Sequence, residues 1–235
     1  MKVKLLAYTP EPEKIVAIAA RLCYSNKADI DTIADGFTEE EIKRFVSELI
    51  ATGHHSTLEH VSFTFGIEDV SRVLTHELVR HRIASYSQRS QRYCSEGECT
   101  FLLPNNISNG ETIKIYDDTY DNIKDTYNDL IKEGIAKEDA RYILPNGTAT
   151  RIIVTMNARS LLHFFSLRCC SRAQLEIRQL ANEMLKLVKS VAPILFMKGG
   201  PSCDQMGYCP EGNRCCGKAP TLQKLLKNYE LTTNK

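Results

Sequence analysis

The sequence predicts an α+β fold, and three patterns predict it. Strands and helices are interspersed without the regular βαβ alternation that marks a doubly wound sheet. Two segments far apart in the chain, 60–67 and 148–156, have the character of core strands. Stripes of apolar residues at helical spacing fill much of the remainder.

Residues 2–8, KVKLLAY, read as a short first strand. From Glu11 to Cys23 the apolar residues Ile15, Ile18, Ala19 and Leu22 share one helical face. The next helix has the clearest start. Thr38 followed three residues later by Glu41 forms a capping box, and Ile42, Phe45, Val46, Leu49 and Ile50 make the stripe that Gly53 ends. In 60–67, Val61, Phe63, Phe65 and Ile67 alternate with polar or small residues, which predicts a strand with one buried face. Helical spacing returns from Asp69 to about Arg82 through Val70, Val73, Leu74 and Leu78. The following IASYSQRSQR has no period and reads as a polar active loop. A long polar helix is expected over 112–133 and a shorter one over 137–144, before Pro145. The segment TATRIIVTM gives the second core strand, and helices follow near 157–168 and 172–190. There is no internal repeat. Composition changes only at Gly199-Gly200-Pro201, so the expected organisation is one domain over 1–200 and a Cys-, Gly- and Lys-rich tail over 201–235.

Thirty basic and twenty-nine acidic side chains nearly cancel, so global charge points to no nucleic-acid and no membrane partner. The N-terminal apolar stretch is too short for a signal-peptide core, and no run approaches the roughly 20 residues of a membrane span. Nine cysteines without an export signal point to reduced thiols and a cytoplasmic protein. In the tail, Cys203, Cys209, Cys215 and Cys216 lack the paired C-x-x-C hooks of common zinc sites. A mobile reduced tail and a structural metal are both open there. Cys169 and Cys170 read as small buried residues.

Any anion site must therefore come from local clustering. Arg80-His81-Arg82, then seven residues, then Ser90, with Arg89 and Arg92 beside it, concentrates four arginines and a histidine at a helix end. Guanidinium forks suit phosphate oxygens, and Ser85, Ser87, Gln88 and Ser90 add neutral donors and acceptors that can read a base or a ribose. A solvated basic turn at a helix C-terminus is the bland alternative. A second cluster, Gly53 to His60, holds His54, His55, Ser56, Glu59 and His60. It lacks the helical two-His spacing of a zinc site, so a loop that packs histidine on a planar ligand competes with a metal reading. The third runs from Asn157 to Arg168. Arg159, His163 and Ser166 fall on one side, Asn157, Ser160 and Arg168 on another, and Leu161, Leu162 and Phe165 on a third. An arginine in so apolar a segment needs a partner, either a carboxylate such as Glu176 or a ligand. On residues alone the result is a phosphate or nucleotide site with no chemistry specified, open to a nucleotide- or RNA-binding protein and to a metal-dependent nucleotide hydrolase.

The run RHRIASYSQRSQRY resembles the signature of the flavin-dependent thymidylate synthases. TGHHSTLEH at 52–60, ARYILP at 140–145 and NARSLLHFFSLR at 157–168 resemble the same family, in the same order. The resemblance implies an α+β domain with a central, mainly antiparallel sheet flanked by helices, assembled as a homotetramer with active sites between subunits. That agrees with the absence of a G-x-G-x-x-G turn and of a P-loop. It implies reductive methylation of dUMP to dTMP, with 5,10-methylenetetrahydrofolate as the one-carbon donor. FAD reduced by NADPH supplies the hydride, and tetrahydrofolate is released. It assigns Ser56, Arg80, His81, Arg82, Gln88, Asn157, Arg159 and His163 to FAD, with His54 near the flavin or folate ring. Glu77, Arg80, Gln88, Arg89, Ser90, Gln91, Arg92, Arg141 and Arg168 form the implied dUMP site, and no metal is implied. Arg168 is the implied catalytic residue, favouring ionisation at N3 of the uracil so that carbon 5 becomes more nucleophilic. An arginine is no base at neutral pH, so its effect is preorganised electrostatics. Ser90 is assigned to binding, since no base accompanies it. Gln88 stands where several members carry glutamate, Glu77 where glutamine is frequent, and His163 where relatives have asparagine or histidine.

Overall fold

Thr38 does what its spacing predicts. Its hydroxyl accepts from Glu41 N–H at 3.2 Å while the Glu41 carboxylate takes the Thr38 N–H at 2.9 Å. The helix that starts there ends at Gly53, whose left-handed φ of 78° suits a residue without Cβ. The computed structural model describes residues 1–26 and 29–226, so the last nine positions of the expected tail lie outside the described residues.

Four strands, β1 (Lys2–Tyr8), β2 (Ser62–Ser71), β3 (Ser85–Gln88) and β4 (Ala149–Asn157), form one antiparallel sheet in the order β1-β2-β4-β3. The helices are α1 (Pro12–Tyr24), α2 (Ile30–Asp35), α3 (Glu39–Thr52), α4 (Arg72–Leu78), α5 (Gly110–Lys132), α6 (Lys137–Ala140), α7 (Ala158–Arg168), α8 (Leu175–Val191) and α9 (Ser202–Met206). Short 3₁₀ turns occupy His55–His60, Arg141–Ile143 and Gly212–Arg214. The mixture is the expected α+β class. Among the described residues no helix is long and apolar enough to cross a membrane.

Contacts divide the chain into two compact units. The first comprises residues 1–2, 66–80 and 86–154. Val70, Leu74, Leu78, Tyr127, Ile152 and Val154 are buried in it. The second comprises 3–65, 81–85 and 155–235. Its core is helical and aromatic. Ile177, Leu180, Ala181, Met184, Leu185 and Val188 form the buried face of α8, the i, i+3, i+4, i+7 stripe of an amphipathic helix. Phe63 meets Phe196 edge-on at 5.3 Å between centroids, and Phe165 meets the same ring at 6.0 Å. Each such buried side chain stabilises by about 1.5–3 kcal/mol, so this cluster is a rigid base for α7.

Two expectations are corrected. Residues 69–71 extend β2 instead of starting a helix, with Asp69 at φ 55° and Ser71 capping α4 through Leu74 N–H at 3.0 Å. Asp tolerates the left-handed region better than most residues. The expected helix thus shrinks to Arg72–Leu78. The supposed loop after it contains β3, an edge strand of SYSQ. Its polar side chains hide it from any apolar alternation, and the neighbouring strand supplies the order: Arg89 N–H donates to Arg151 O at 3.0 Å.

The tail from 201 to 226 is structured. It carries α9 and a 3₁₀ turn, and is tied to α7 and the segment after it. The Ser202 hydroxyl donates to Ser166 O at 3.2 Å, and Arg172 donates to Arg214 O at 2.9 Å. All nine cysteines are free thiols, and Cys169 is buried while Cys170 is half-buried.

Candidate active site

The predicted site residues fall into two sets, one in each unit. In the first unit, α4 brings Glu77 and then Arg80, half-buried and exposed respectively. The half-buried Gln88 ends β3 and donates its amide to Thr75 Oγ1 at 3.2 Å and Thr150 Oγ1 at 3.3 Å. Its carboxamide oxygen is the end not used in these bonds.

The turn that follows is where the arginines diverge. Ser90 Oγ accepts from Arg92 N–H at 3.1 Å, and Ser90 O accepts from Cys94 N–H at 3.0 Å, closing the turn. Gln91 is buried, and its Nε2 has no protein partner. Arg92 is exposed and pairs with Glu138, whose backbone carbonyl also accepts from Arg141 Nε at 3.1 Å. Arg89 is the most constrained. It donates Nη1 to Glu96 at 2.6 Å and Nη2 to Ser95 O at 2.9 Å. The hydrogen bond to the Glu96 carboxylate, first among the causes, holds the Arg89 guanidinium above its usual pKa.

Two residues that the sequence reading passed over belong to this set. Arg72 donates Nη2 to Arg89 O at 3.2 Å, and its Nε is buried without a protein partner. Burial lowers its pKa, opposed by Glu96 and assisted by Arg141 and Arg89, so four charges share one neighbourhood. Glu96 is only 2 % exposed, with Oε2 unpartnered. Neither has a local signal: Arg72 looks like the first residue of an ordinary helix, and Glu96 lies in SEGE, which has no motif. A cavity of about 320 Å³ lies against Arg89, Glu96, Thr150 and Arg151.

The second unit holds the other set. Asn157 caps α7, its Oδ1 accepting from Ser160 N–H at 2.8 Å. Arg159 on the first turn pairs with Glu59 at the solvent surface, where such a pair contributes little. One turn later the exposed His163 stands 6.0 Å, centroid to centroid, from the ring of His81. Phe164 meets His81 edge-on at 4.9 Å. At the end of α7, Arg168 donates Nε to His81 Nε2 at 3.1 Å. That bond requires Nε2 without its proton, hence the neutral imidazole. Burial first, then the Arg168 charge, then His163, push the His81 pKa down to about 4, which keeps the ring neutral. His54, Ser56 and Arg82 are exposed. Among the described residues no three His, Cys, Asp or Glu side chains are grouped to hold a metal.

Exposed cations, hydroxyls and an exposed imidazole in one unit, and an arginine-bearing turn in the other, make an α+β protein with two surfaces that suit anions. The comparisons make that specific. The profile of the thymidylate synthase complementing protein family matches residues 4–194. The flavin-dependent thymidylate synthase of Geobacter sulfurreducens is 48% identical over 234 residues, covering 98% of this chain and 100% of that one. That of Clostridium tetani is 49% identical over 242 residues, with 96% of each covered. In structure, a UMP/dUMP methylase, PolB of Streptomyces cacaoi bound with 5-Br dUMP, superposes with a TM-score of 0.73. It shares 24% identity over 85% of this chain and 95% of that one, a likeness of fold. The chain belongs to the flavin-dependent thymidylate synthase family.

Proposed function

We propose that this enzyme methylates dUMP to dTMP, taking the one-carbon unit from 5,10-methylenetetrahydrofolate and using FAD that NADPH has reduced. The observation that carries the reading is the match at 48% identity along the whole of a flavin-dependent thymidylate synthase. The likeness of fold to a dUMP methylase agrees with it.

The two sets divide the work. In the first unit, Ser90, Gln91 and Arg92 on the turn, with Arg80, Glu77, Gln88 and Arg141, take the nucleotide. The buried, unpartnered Gln91 amide suits an acceptor on the ligand. In the second unit, exposed Arg82 and Arg159 suit a pyrophosphate, and exposed His54 suits a flat ring. Ser56, Asn157, His81 and His163 complete that set, Asn157 through its cap of α7. FAD, when bound, supplies the hydride that completes the methyl group. The active assembly is a homotetramer.

Arg168 stabilises the anion that develops on the pyrimidine, a donor fixed before the reaction begins. The neutral His81 ring fixes its Nε without neutralising it. An anaerobic visible spectrum of the FAD-loaded protein tests the reading. The flavin band should bleach with NADPH and return when methylenetetrahydrofolate is added with dUMP present. Protein that binds no flavin would end the proposal. Arg168→Ala should keep the flavin spectrum and lose turnover by on the order of 10²–10³-fold. Near-normal turnover would remove Arg168 from catalysis.

A further inference from the structure

The turn at 90–95 carries three of the residues assigned to dUMP, yet its own side chains do little to hold it. Ser90 makes one bond to Arg92 N–H, the Gln91 amide nitrogen has no protein partner, and Arg92 reaches out to Glu138. Lys137 Nζ donates to Tyr93 O at 3.2 Å within the turn, and the ties to buried groups lie at its two ends. Arg89 stands at the entrance and Glu96 at the exit, and the Arg89 fork spans them, with Nη1 on Glu96 Oε1 at 2.6 Å and Nη2 on Ser95 O at 2.9 Å. The backbone of residue 89 is held as well. Its N–H donates to Arg151 O at 3.0 Å, and its carbonyl accepts from Arg72 Nη2 at 3.2 Å. Glu96 is anchored in turn, its N–H on Tyr127 Oη at 3.2 Å, and Tyr127 is fully buried.

This arrangement decides what Arg89 can do. Both of its terminal nitrogens already sit on protein acceptors, and the side chain is 24% exposed. Pulling it onto a phosphate would leave the Glu96 carboxylate, 2% exposed, buried without its cation. Stranding a buried charge is far costlier than leaving a surface ion pair. Arg92, 56% exposed, pairs with a half-exposed carboxylate and lies 5.5 Å over the Tyr93 ring, surface contacts that it gives up cheaply.

We propose that Arg89 is a positioning residue, clamped by Glu96 and braced by Arg72, that presents Ser90, Gln91 and Arg92 to the phosphate of dUMP without touching it. The clamp rests on the dUMP reading given above and narrows it: one arginine of the basic motif works on the protein. The ordering of the turn is completed before binding, so the nucleotide does not have to supply it. A fork is needed for this, because a lysine cannot reach a carboxylate and a carbonyl in one fixed plane.

The test uses the FAD-loaded enzyme and the variants Arg89→Lys, Glu96→Gln and the double variant, with equilibrium binding of dUMP and of deoxyuridine, which lacks the phosphate. Each single variant should weaken dUMP binding and raise its KM about tenfold, while kcat at saturating dUMP and deoxyuridine affinity stay within about twofold. The double variant should be no worse than the weaker single one, as expected when two residues act as one clamp. A much larger loss for Arg89→Lys than for Glu96→Gln, adding in the double variant, would mean direct phosphate contact and overturn the clamp. Equal losses for dUMP and deoxyuridine would overturn it too, since a general structural defect does not single out the phosphate. Should Glu96→Gln not fold, Arg72→Gln removes the brace on the Arg89 carbonyl, and with it one cation near Glu96. It should weaken dUMP binding about threefold and spare deoxyuridine, and unchanged dUMP affinity would count against the proposal. Wild-type enzyme that reduces its flavin but binds no dUMP would sink the underlying reading itself, an outcome distinct from any change among the variants.

Discussion

Arg89 and Arg168 are both half-buried arginines beside the end of a regular element, and they are held in different ways. Arg89 rests on the Glu96 carboxylate at 2.6 Å, whereas Arg168 gives its Nε to the His81 ring at 3.1 Å. The first contact joins opposite charges, is strong, and cancels much of the cation's field. The second joins a cation to a neutral acceptor, so this contact orients the guanidinium without itself neutralising it. An arginine that orders a turn suits the first arrangement. An arginine meant to stabilise negative charge on a pyrimidine suits the second.

The comparison breaks most visibly at His81. His81→Phe keeps an aromatic ring against Phe164 and removes the acceptor for Arg168. Turnover at saturating substrates should fall on the order of 10²-fold, approaching the loss expected for Arg168→Ala. His81→Gln, which retains an acceptor, should recover part of it. Steady-state kcat for the three variants checks the order. A Phe variant as active as the Gln variant would show that the imidazole nitrogen does nothing for Arg168.

Much of what frames these two arginines was legible in the sequence, and much of what holds them was not. The Thr38–Glu41 capping box, the alternation of Phe63 and Phe65, and the long helix through Tyr127 follow from local patterns, which report local physics. The strand β3 was hidden because SYSQ owes its conformation to a neighbouring strand. The end of β2 was misread because Val70 and Leu74 fit a helical period as well as they fit a strand followed by a capped helix. Helix α2 is six residues, under two turns, and is started by the Asp29 carboxylate on the Asp31 and Thr32 amides, too short for periodicity to register. The basic motif marked an anion site by composition. That Arg89 belongs to Glu96, across a turn, has no signature in residue type or spacing. The same holds for Arg168 and His81, which lie 87 positions apart.

Acid sharpens the contrast. His81 has its pKa pushed down to about 4 from 6.5, by burial first and then by Arg168 and His163. Between those values the unfolded chain binds a proton that the folded chain refuses, so stability is full above pH 6.5 and falls as pH drops toward 4. The ring is half-buried, so partial solvent screening reduces the loss to about 1–2 kcal/mol. Glu13 works in the opposite direction. Burial raises its carboxyl above the usual range despite the Ile194 and Leu195 amides, so protonation in acid favours the folded state. Urea midpoints at pH 7.5, 6 and 5 for wild type and His81→Phe separate the two contributions. The wild type should lose more than the variant between pH 7.5 and 5, and parallel losses would mean that His81 does not titrate as its surroundings require.

The smallest effect is read through thiols. Cys99 lines the cavity beside Glu96, and burial first, then the Glu96 charge, push its pKa up to about 11. Cys169, next to Arg168, is pushed up to about 12 by burial, with Lys189 opposing and Asp204 assisting. Cys216 is exposed and lowered, chiefly by the Ser171 hydroxyl. Since the thiolate is the reactive form, iodoacetamide at pH 8 should label Cys216 well before the other two. Replacing Glu96 by glutamine removes one negative charge near Cys99 without opening its site, so Cys99 labelling should quicken by only about two- to threefold. Cys169, which answers to other charges, serves as the internal reference and should not change. Peptide mapping by mass spectrometry resolves all three sites. Equal labelling of Cys99 in wild type and Glu96→Gln would mean that the Glu96 charge is fully spent on the arginines around it. A rise of tenfold or more would mean that the substitution exposes Cys99 to solvent as well as loosening the Arg89 contact.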